Sequence, residues 1–319
     1  TQQLQQSNLL RISATQKETA QKAPLPPNTL RLQQFVKLPA HETMKFAEAL
    51  YSRGLISYPR TETQIFTFGA ERVVQIVQTM KQGQYAEYCT KLLGQVGYLQ
   101  TLKQTVAQKG KSDEAHPPIH PLRFENVSGG EALVFDAVVR LFLASVSPDC
   151  IRIQQEYQTK LGEVEFKATK TFVKTPGWTE ILHGQKPEQI PQIENGLLKE
   201  VQQLEVKPVQ HLPVKMTQNA LIQKMDDHGI GTDATIADHI QNIVERGYVD
   251  KHMQTEEAGT IISELYLKIE KSMISTAFRA WMEAGLREII AGTKSVAVVY
   301  SDVLSEAVKV FDNVKSHLQ

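Results

Sequence analysis

The chain changes hydrophobic period several times, and each change predicts an element. Met44, Ala47 and Tyr51 recur at helical spacing, a run that Arg53-Gly54 closes. Residues 1–26 alternate and end at a proline cluster, so they read as strand. Residues 164–172 also alternate, ending near Pro176-Gly177-Trp178, and residues 151–181 as a whole suggest strands. Helical spacing returns with Leu221, Ile222 and Met225. It resumes beyond Gly229 and Gly231 with Ile236, Ile240, Ile243 and Val244, and stops at Gly247 before Tyr248 and Val249. That stretch predicts helix, tight glycine turn, helix, with Thr232 or Asp233 capping the second helix.

Three segments carry candidate chemistry. Residues 55–63 read Leu-Ile-Ser-Tyr-Pro-Arg-Thr-Glu-Thr, which puts the phenol of Tyr58 two residues before the guanidinium of Arg60 on a backbone stiffened by Pro59. A tyrosine attacks a phosphodiester if its proton is taken and the charge on phosphorus is met by a cation. The planar fork of Arg60 suits that second task. On chemistry alone an ordinary surface turn is the favoured alternative. Residues 113–121 read Asp-Glu-Ala-His-Pro-Pro-Ile-His-Pro, three prolines holding two imidazoles in a short rigid stretch. On its own, a Pro-rich turn with capping histidines is the favoured reading. In the turn His228-Gly229-Ile230-Gly231-Thr232-Asp233-Ala234-Thr235, exposed amides and hydroxyls at a helix start make a phosphate site. A structural helical hairpin explains the isoleucine stripe as well.

The nonapeptide resembles the active-site signature of type IA DNA topoisomerases, and its Glu-Thr ending looks like topoisomerase III. The Asp113–Pro121 string is similar to the eukaryotic, alpha-type motif that follows the tyrosine. Gly-Ile-Gly-Thr-Asp-Ala-Thr resembles the topoisomerase III segment that lines the DNA path. The order of motifs agrees too, with residues 24–33 and 42–51 looking like the family's approach to its nucleophile. The similarity covers most of residues 1–290 and is loosest at 67–110 and after 250. The resemblance implies Tyr58 as nucleophile and Arg60 and His116 as partners of the scissile phosphate. It implies Thr61, Thr63, His120, Gly231, Thr232 and Thr235 as DNA contacts. Bacterial relatives carry arginine at the place of His120, and Asp233 suits a cap better than a phosphate contact.

The fold implied is multidomain α+β: a type IA topoisomerase core with a β-rich gate domain and two mostly helical, CAP-like domains arranged as an open torus. Residues 1–26 would open the gate domain, 27–144 form the helical domain bearing the tyrosine, 145–212 return to the gate, and 213–319 form the helical DNA-groove domain. The family also begins with a Toprim domain whose acidic cluster binds Mg²⁺. No Asp-x-Asp pair stands in this chain, and Asp226-Asp227 are adjacent rather than alternating. Mg²⁺ is therefore expected on a missing Toprim domain, in cis or in trans, with no metal ligands on this chain. The expectation is of a fragment acting on single-stranded DNA, with a RecQ-family helicase and an OB-fold accessory protein as further partners. Nuclear location is expected, with mitochondrial use also open.

Composition changes this picture little. Apolar residues make up 41% and charged residues 22% of 319, enough for packed cores in two or more domains. Two cysteines are too few for a disulfide framework or a four-cysteine zinc ribbon. No run approaches the roughly 18 apolar residues of a membrane span, and no signal pattern is present, which with the composition reads as a soluble intracellular protein. Thirty-five basic and 35 acidic residues cancel, against the usual basic excess of nucleic-acid binders. Lys167, Lys170 and Lys174 fall near strand spacing and would supply a local positive stripe. Gly110-Lys111-Ser112 ends like a phosphate loop, but Thr105 stands where its first glycine belongs. Two rival readings remain: a non-catalytic helix-turn-helix module at 221–249, and a docking scaffold for a helicase complex.

Overall fold

The computed structural model describes residues 9–100, 102, 110–161, 163–193, 196–200, 215–232 and 235–318. Strands β1 (Leu9–Gln21), β2 (Cys150–Leu161), β3 (Val164–Thr175) and β4 (Leu197–Glu200) form one antiparallel sheet in the order β3-β2-β1-β4. The register places Gln21 directly opposite Cys150. The chain therefore leaves the sheet at one point and returns beside it after a long helical excursion. Asp149 closes the neck: its carboxylate accepts from the Ala23 amide at 3.0 Å and pairs with Lys22 at 2.8 Å. Gly177 lies there at φ +51°, and a Cβ on it would stand 2.3 Å from the Asp149 carbonyl, so the two passing backbones need a glycine.

The excursion contains α1 (Thr29–Phe35), α2 (Ala40–Ser52), α3 (Ala70–Thr79), α4 (Ala86–Leu93) and α5 (Gly129–Ser145). Helix α5 buries Val138, Val139, Leu141, Phe142 and Leu143, positions that run all round its circumference. Such a helix belongs at the centre of a core, and α1 and α2 pack against it. Leu32, Leu50, Leu55, Ile56 and Ile119 join the same core, which seats the segments carrying Tyr58 and His116 on a rigid base.

After the short helix α6 (Thr179–His183), which returns the chain from β3, come α7 (Gln218–Asp227) and α8 (Ile236–Glu245). Ile222, Ile236 and Ile240 bury with Ala40 and Met44 in a second, smaller core. The Asn219 side-chain amide donates to the Gln34 carbonyl at 2.8 Å, so α7 docks on α1 as α8 does on α2. Helices α9 (Glu257–Ile269), α10 (Thr276–Ile290) and α11 (Val296–Leu318) follow, with Trp281, Ile290, Tyr300 and Phe311 exposed.

Several local expectations need correction. Met44 and Ala47 are buried as the α2 period requires, but Tyr51 is 44% exposed, because it turns from the core toward Tyr58. Residues 151–181 are not strand throughout: β3 ends at Thr175 and Ile181 lies in α6. The three lysines do not make one stripe. Lys167 and Lys170 are an odd number of residues apart and face opposite sides of β3. Lys174 is the extra residue of a bulge between Val173 and Thr175, and it pairs with Glu18 at 2.6 Å. Gly229 and Gly231 do take positive φ, +62° and +78°, in the α7–α8 turn, and Gly247 does so after α8. Thr232 is not the residue flanking α8. Thr235 is, while the Thr232 carbonyl accepts the Thr235 and Ile236 amides, both at 3.0 Å. Asp233 lies outside the described residues.

Candidate active site

The tyrosine segment and the histidine segment are laced together by backbone hydrogen bonds. Ser57 donates its amide to the His120 carbonyl, the Leu122 amide donates to the Leu55 carbonyl, and Ile56 bridges Pro121. The Ser57 hydroxyl adds a second tie, accepting the His120 amide at 2.9 Å. Helix α1 holds the other side. Thr29 Oγ1 donates to the Pro59 carbonyl at 2.7 Å and accepts the Thr61 amide at 2.8 Å. Pro59 and its neighbours are thus fixed from two directions.

This lacing brings Tyr58 and His116 together, with ring centroids 4.7 Å apart and planes tilted by 34°. From the other side Tyr51 meets Tyr58 edge-on at 5.3 Å. The Tyr58 ring is held between two partners, each contact of a kind that contributes about 0.5–1.5 kcal/mol. Arg60, half-buried, sends Nε and Nη2 to the same oxygen of Glu48, at 2.7 and 2.6 Å. Glu48 and Tyr51 are one turn apart on α2, so a single helical face positions both the phenol and the guanidinium.

Asp113 is the hub of the site. Its Oδ1 accepts from Thr63 Oγ1 at 3.0 Å and from the amides of Ala115 and His116 at 3.0 and 2.8 Å. Its Oδ2 accepts from Thr61 Oγ1 at 2.8 Å and lies 3.4 Å from His116 Nδ1. Partial burial works to raise the Asp113 pKa. The donors, led by the His116 amide and the Thr61 hydroxyl, outweigh it and hold the carboxyl well below the usual carboxylate range.

These contacts decide three of the expected DNA contacts. Thr61 and Thr63 are buried, at 1% and 0% exposure, and both hydroxyls are turned to Asp113. In this structure they brace the loop. His120 is also buried, between Phe68 and Phe142, with Nδ1 2.7 Å from the Pro118 carbonyl. Burial pushes its imidazole down in pKa, so it stays neutral inside the fold and offers no cation to a phosphate. Gly231, Thr232 and Thr235 sit at the α7–α8 turn, where the Thr232 amide donates to Thr235 Oγ1 at 2.9 Å. Asp226 of α7 pairs with Lys111 at 3.7 Å, linking that hairpin to the segment just before Asp113. Glu48, Tyr51, Thr29 and Asp113 were not named as site residues from the sequence. Only Asp113 left a signal there, since an aspartate before a bend accepts the amides two and three residues on.

Tyr58 thus stands between an imidazole and a second tyrosine, with Arg60 two residues on, on loops pinned to an α-helical core beside an antiparallel sheet. Residues 1–301 match the DNA topoisomerase family, and the chain belongs to that family. It is 32% identical over 308 residues to DNA topoisomerase 3-alpha of Drosophila melanogaster, covering 92% of this chain and 24% of that protein. With DNA topoisomerase 3-alpha of Homo sapiens it shares 31% over 284 residues, 86% of this chain and 28% of the relative. With DNA topoisomerase 3 of Saccharomyces cerevisiae it shares 30% over 325 residues, 92% of this chain and 50% of the relative. Within the family the chain is thus of the type IA, topoisomerase III-like kind, and it spans about a quarter to a half of the length of these relatives. The full-length topoisomerase I of Thermotoga maritima superposes with a TM-score of 0.72 at 20% identity, over 98% of this chain and 54% of that one, which shows the shared fold.

Proposed function

We propose that this chain carries the nucleophile half of a type IA DNA strand-passage enzyme. The observation that carries the proposal is Tyr58 held between His116 and Tyr51 with Arg60 two residues away. Tyr58 Oη attacks the phosphorus of a phosphodiester in single-stranded DNA. A bond from tyrosine to the 5′-phosphate forms, the bond to the 3′-oxygen breaks, the phenol loses its proton and the departing 3′-oxygen takes one up. Arg60 and His116 meet the charge on the pentacoordinate phosphorus. One ester replaces another of similar energy, so the 3′-OH reverses the attack after a strand has passed and no ATP is needed for resealing. DNA relaxation or decatenation, in recombination and repair, is the expected use.

The wider setting is part of the same proposal. The sheet would serve as the gate (1–26 and 145–212) and the helical parts (27–144 and 213–319) as the arms of an open torus around DNA. Gly231, Thr232 and Thr235 would meet the bound strand at the α7–α8 turn. Among the described residues no group of three or more His, Cys, Asp or Glu side chains converges as metal ligands would. We assign Mg²⁺ to a Toprim domain supplied in cis or in trans. A RecQ-family helicase, an OB-fold accessory protein and a nuclear setting are carried over from the family likeness alone.

The test is an oligonucleotide adduct. Labelled single-stranded DNA is incubated with the chain and Mg²⁺, with and without a Toprim fragment, and denatured. The expected result is a covalent adduct mapping to Tyr58, absent in Tyr58→Phe, which still binds the strand. Adducts that persist in Tyr58→Phe would overturn the assignment. Binding that prefers duplex and ignores Tyr58 and Arg60 would favour the helix-turn-helix reading instead.

A further inference from the structure

The site holds a carboxylate, Asp113, to which the reaction just proposed gives no task. We propose that Asp113 is a positioning residue for His116, a role that rests on the reading of Tyr58 as nucleophile. All four of its closest partners are donors: two threonine hydroxyls and two backbone amides. Thr61 Oγ1 accepts the Thr63 amide at 3.0 Å, and Thr63 Oγ1 accepts the Asp113 amide at 3.0 Å, which leaves each hydroxyl proton available to the carboxylate. The anionic form of Asp113 accepts from all four donors at once.

The consequence reaches the imidazole. Oδ2 of the anion faces His116 Nδ1 at 3.4 Å, which places the neutral ring's proton on Nδ1. Nε2 is then left as the base, or as the second donor once the ring is charged. A carboxylate that fixes the tautomer of a neighbouring histidine sets which nitrogen can meet a phosphate or take a proton. The same carboxylate fixes where the ring lies. It binds the His116 amide directly, and through Thr61 and Thr63 it binds the loop that carries Tyr58. The 4.7 Å approach of the two rings is the result of that double hold. Asp113 acts through His116, whose amide and ring both face its carboxylate.

Tautomer spectroscopy on the full chain tests this without requiring catalysis. With ¹⁵N-labelled histidine, long-range proton–nitrogen correlations report which ring nitrogen carries hydrogen, and His116→Gln identifies the signal. Expected is an Nδ1-protonated His116 in the unmodified chain above pH 7, moving to Nε2-protonated or averaging in Asp113→Asn. Thr63→Val, which loosens the clamp without facing the ring, should lower the melting temperature and leave the tautomer alone. In the adduct assay with the Toprim fragment, Asp113→Asn should lose on the order of 10²-fold in cleavage rate, the scale of one positioned acid–base group. The double variant Asp113→Asn/His116→Gln should be no slower than His116→Gln. An Nε2-protonated His116 in the unmodified chain, or an unchanged tautomer in folded Asp113→Asn, would overturn the proposal. So would fully additive losses in the double variant. If Asp113→Asn does not fold, the unmodified chain's tautomer still decides. Adducts persisting in Tyr58→Phe would sink the nucleophile while leaving the tautomer result legible.

Discussion

Arg60 meets Glu48 through Nε and Nη2, an edge that would also suit a phosphate, and that competition has a measurable size. The pair is partly exposed, 27% at Arg60 and 46% at Glu48, so solvent screens it and its net contribution is about 0–1 kcal/mol. Glu48→Gln keeps an oxygen for the guanidinium but removes the charge. Stability should then fall by less than about 1 kcal/mol, or roughly 2–4 °C of melting temperature for a domain of this size. For DNA the sign reverses, because a phosphate oxygen no longer has to displace a carboxylate. Releasing about 0.3–1 kcal/mol corresponds to roughly two- to fivefold tighter binding of single strands.

The assay is fluorescence anisotropy with a labelled single-stranded oligonucleotide, in a Tyr58→Phe background so that no adduct accumulates. Measured at two salt concentrations, it separates a general loss of repulsion from a local release, since the former is screened more strongly. Glu62→Gln is the control: Glu62 is an exposed carboxylate on the same loop, and its removal reports the general charge effect. Glu48→Gln should exceed it. Binding by Glu48→Gln that is equal to or weaker than binding by Glu62→Gln would show that Arg60 does not exchange its carboxylate for a phosphate. Its role would then be to brace α2.

The remaining expectations concern the scaffold. Asp113→Ala leaves two buried threonine hydroxyls without an acceptor, at about 1–3 kcal/mol each, so urea unfolding should show a loss of about 2–6 kcal/mol; a loss under about 0.5 would refute the clamp. Because its folded pKa is depressed, Asp113 contributes stability that is fully present above the unfolded carboxyl value of about 3.9 and is lost as pH falls below it toward the folded pKa. The stability gap between the unmodified chain and Asp113→Asn should therefore be constant from pH 7 to 5 and shrink below about pH 4 in denaturant titrations. Phe142→Ala opens the centre of α5 and should cost about 3–5 kcal/mol, with the tyrosine segment loosening in hydrogen exchange as its base is lost.

How much of this was legible in the sequence depended on whether an interaction was local. The α7–α8 hairpin was readable because its stripe of isoleucines, its two positive-φ glycines and its stop at Gly247 are all set by neighbours within a few residues. Strand β1, at 9–21 rather than through to 26, and strand β3 were readable for the same reason, yet the bulge at Lys174 was not, since it is set by the pairing of β3 with the distant β2. Tyr51 shows the limit most clearly. Its spacing from Met44 and Ala47 says core, and the period is correct, but the position falls where α2 meets the tyrosine loop rather than α5. Thr61 and Thr63 failed differently. A hydroxyl beside a phosphate-binding arginine reads as a ligand contact, and only the approach of Asp113 from 50 residues away shows that both are already engaged.

That last failure says something about the construction of the site. The groups expected to touch DNA divide into two sets. Tyr58, Arg60 and His116 keep part of their surface open, while Thr61, Thr63 and His120 are spent on holding them. The nonapeptide and the Pro-rich string are thus each half reactive and half structural, residue by residue. A buried threonine next to a half-open arginine is what keeps the arginine's loop in place when a charged strand enters. A sequence motif cannot separate those two tasks, because both require the same residue types at the same spacing. Only the second partner, Asp113 for the threonines and the Pro118 carbonyl for His120, assigns each side chain to one or the other.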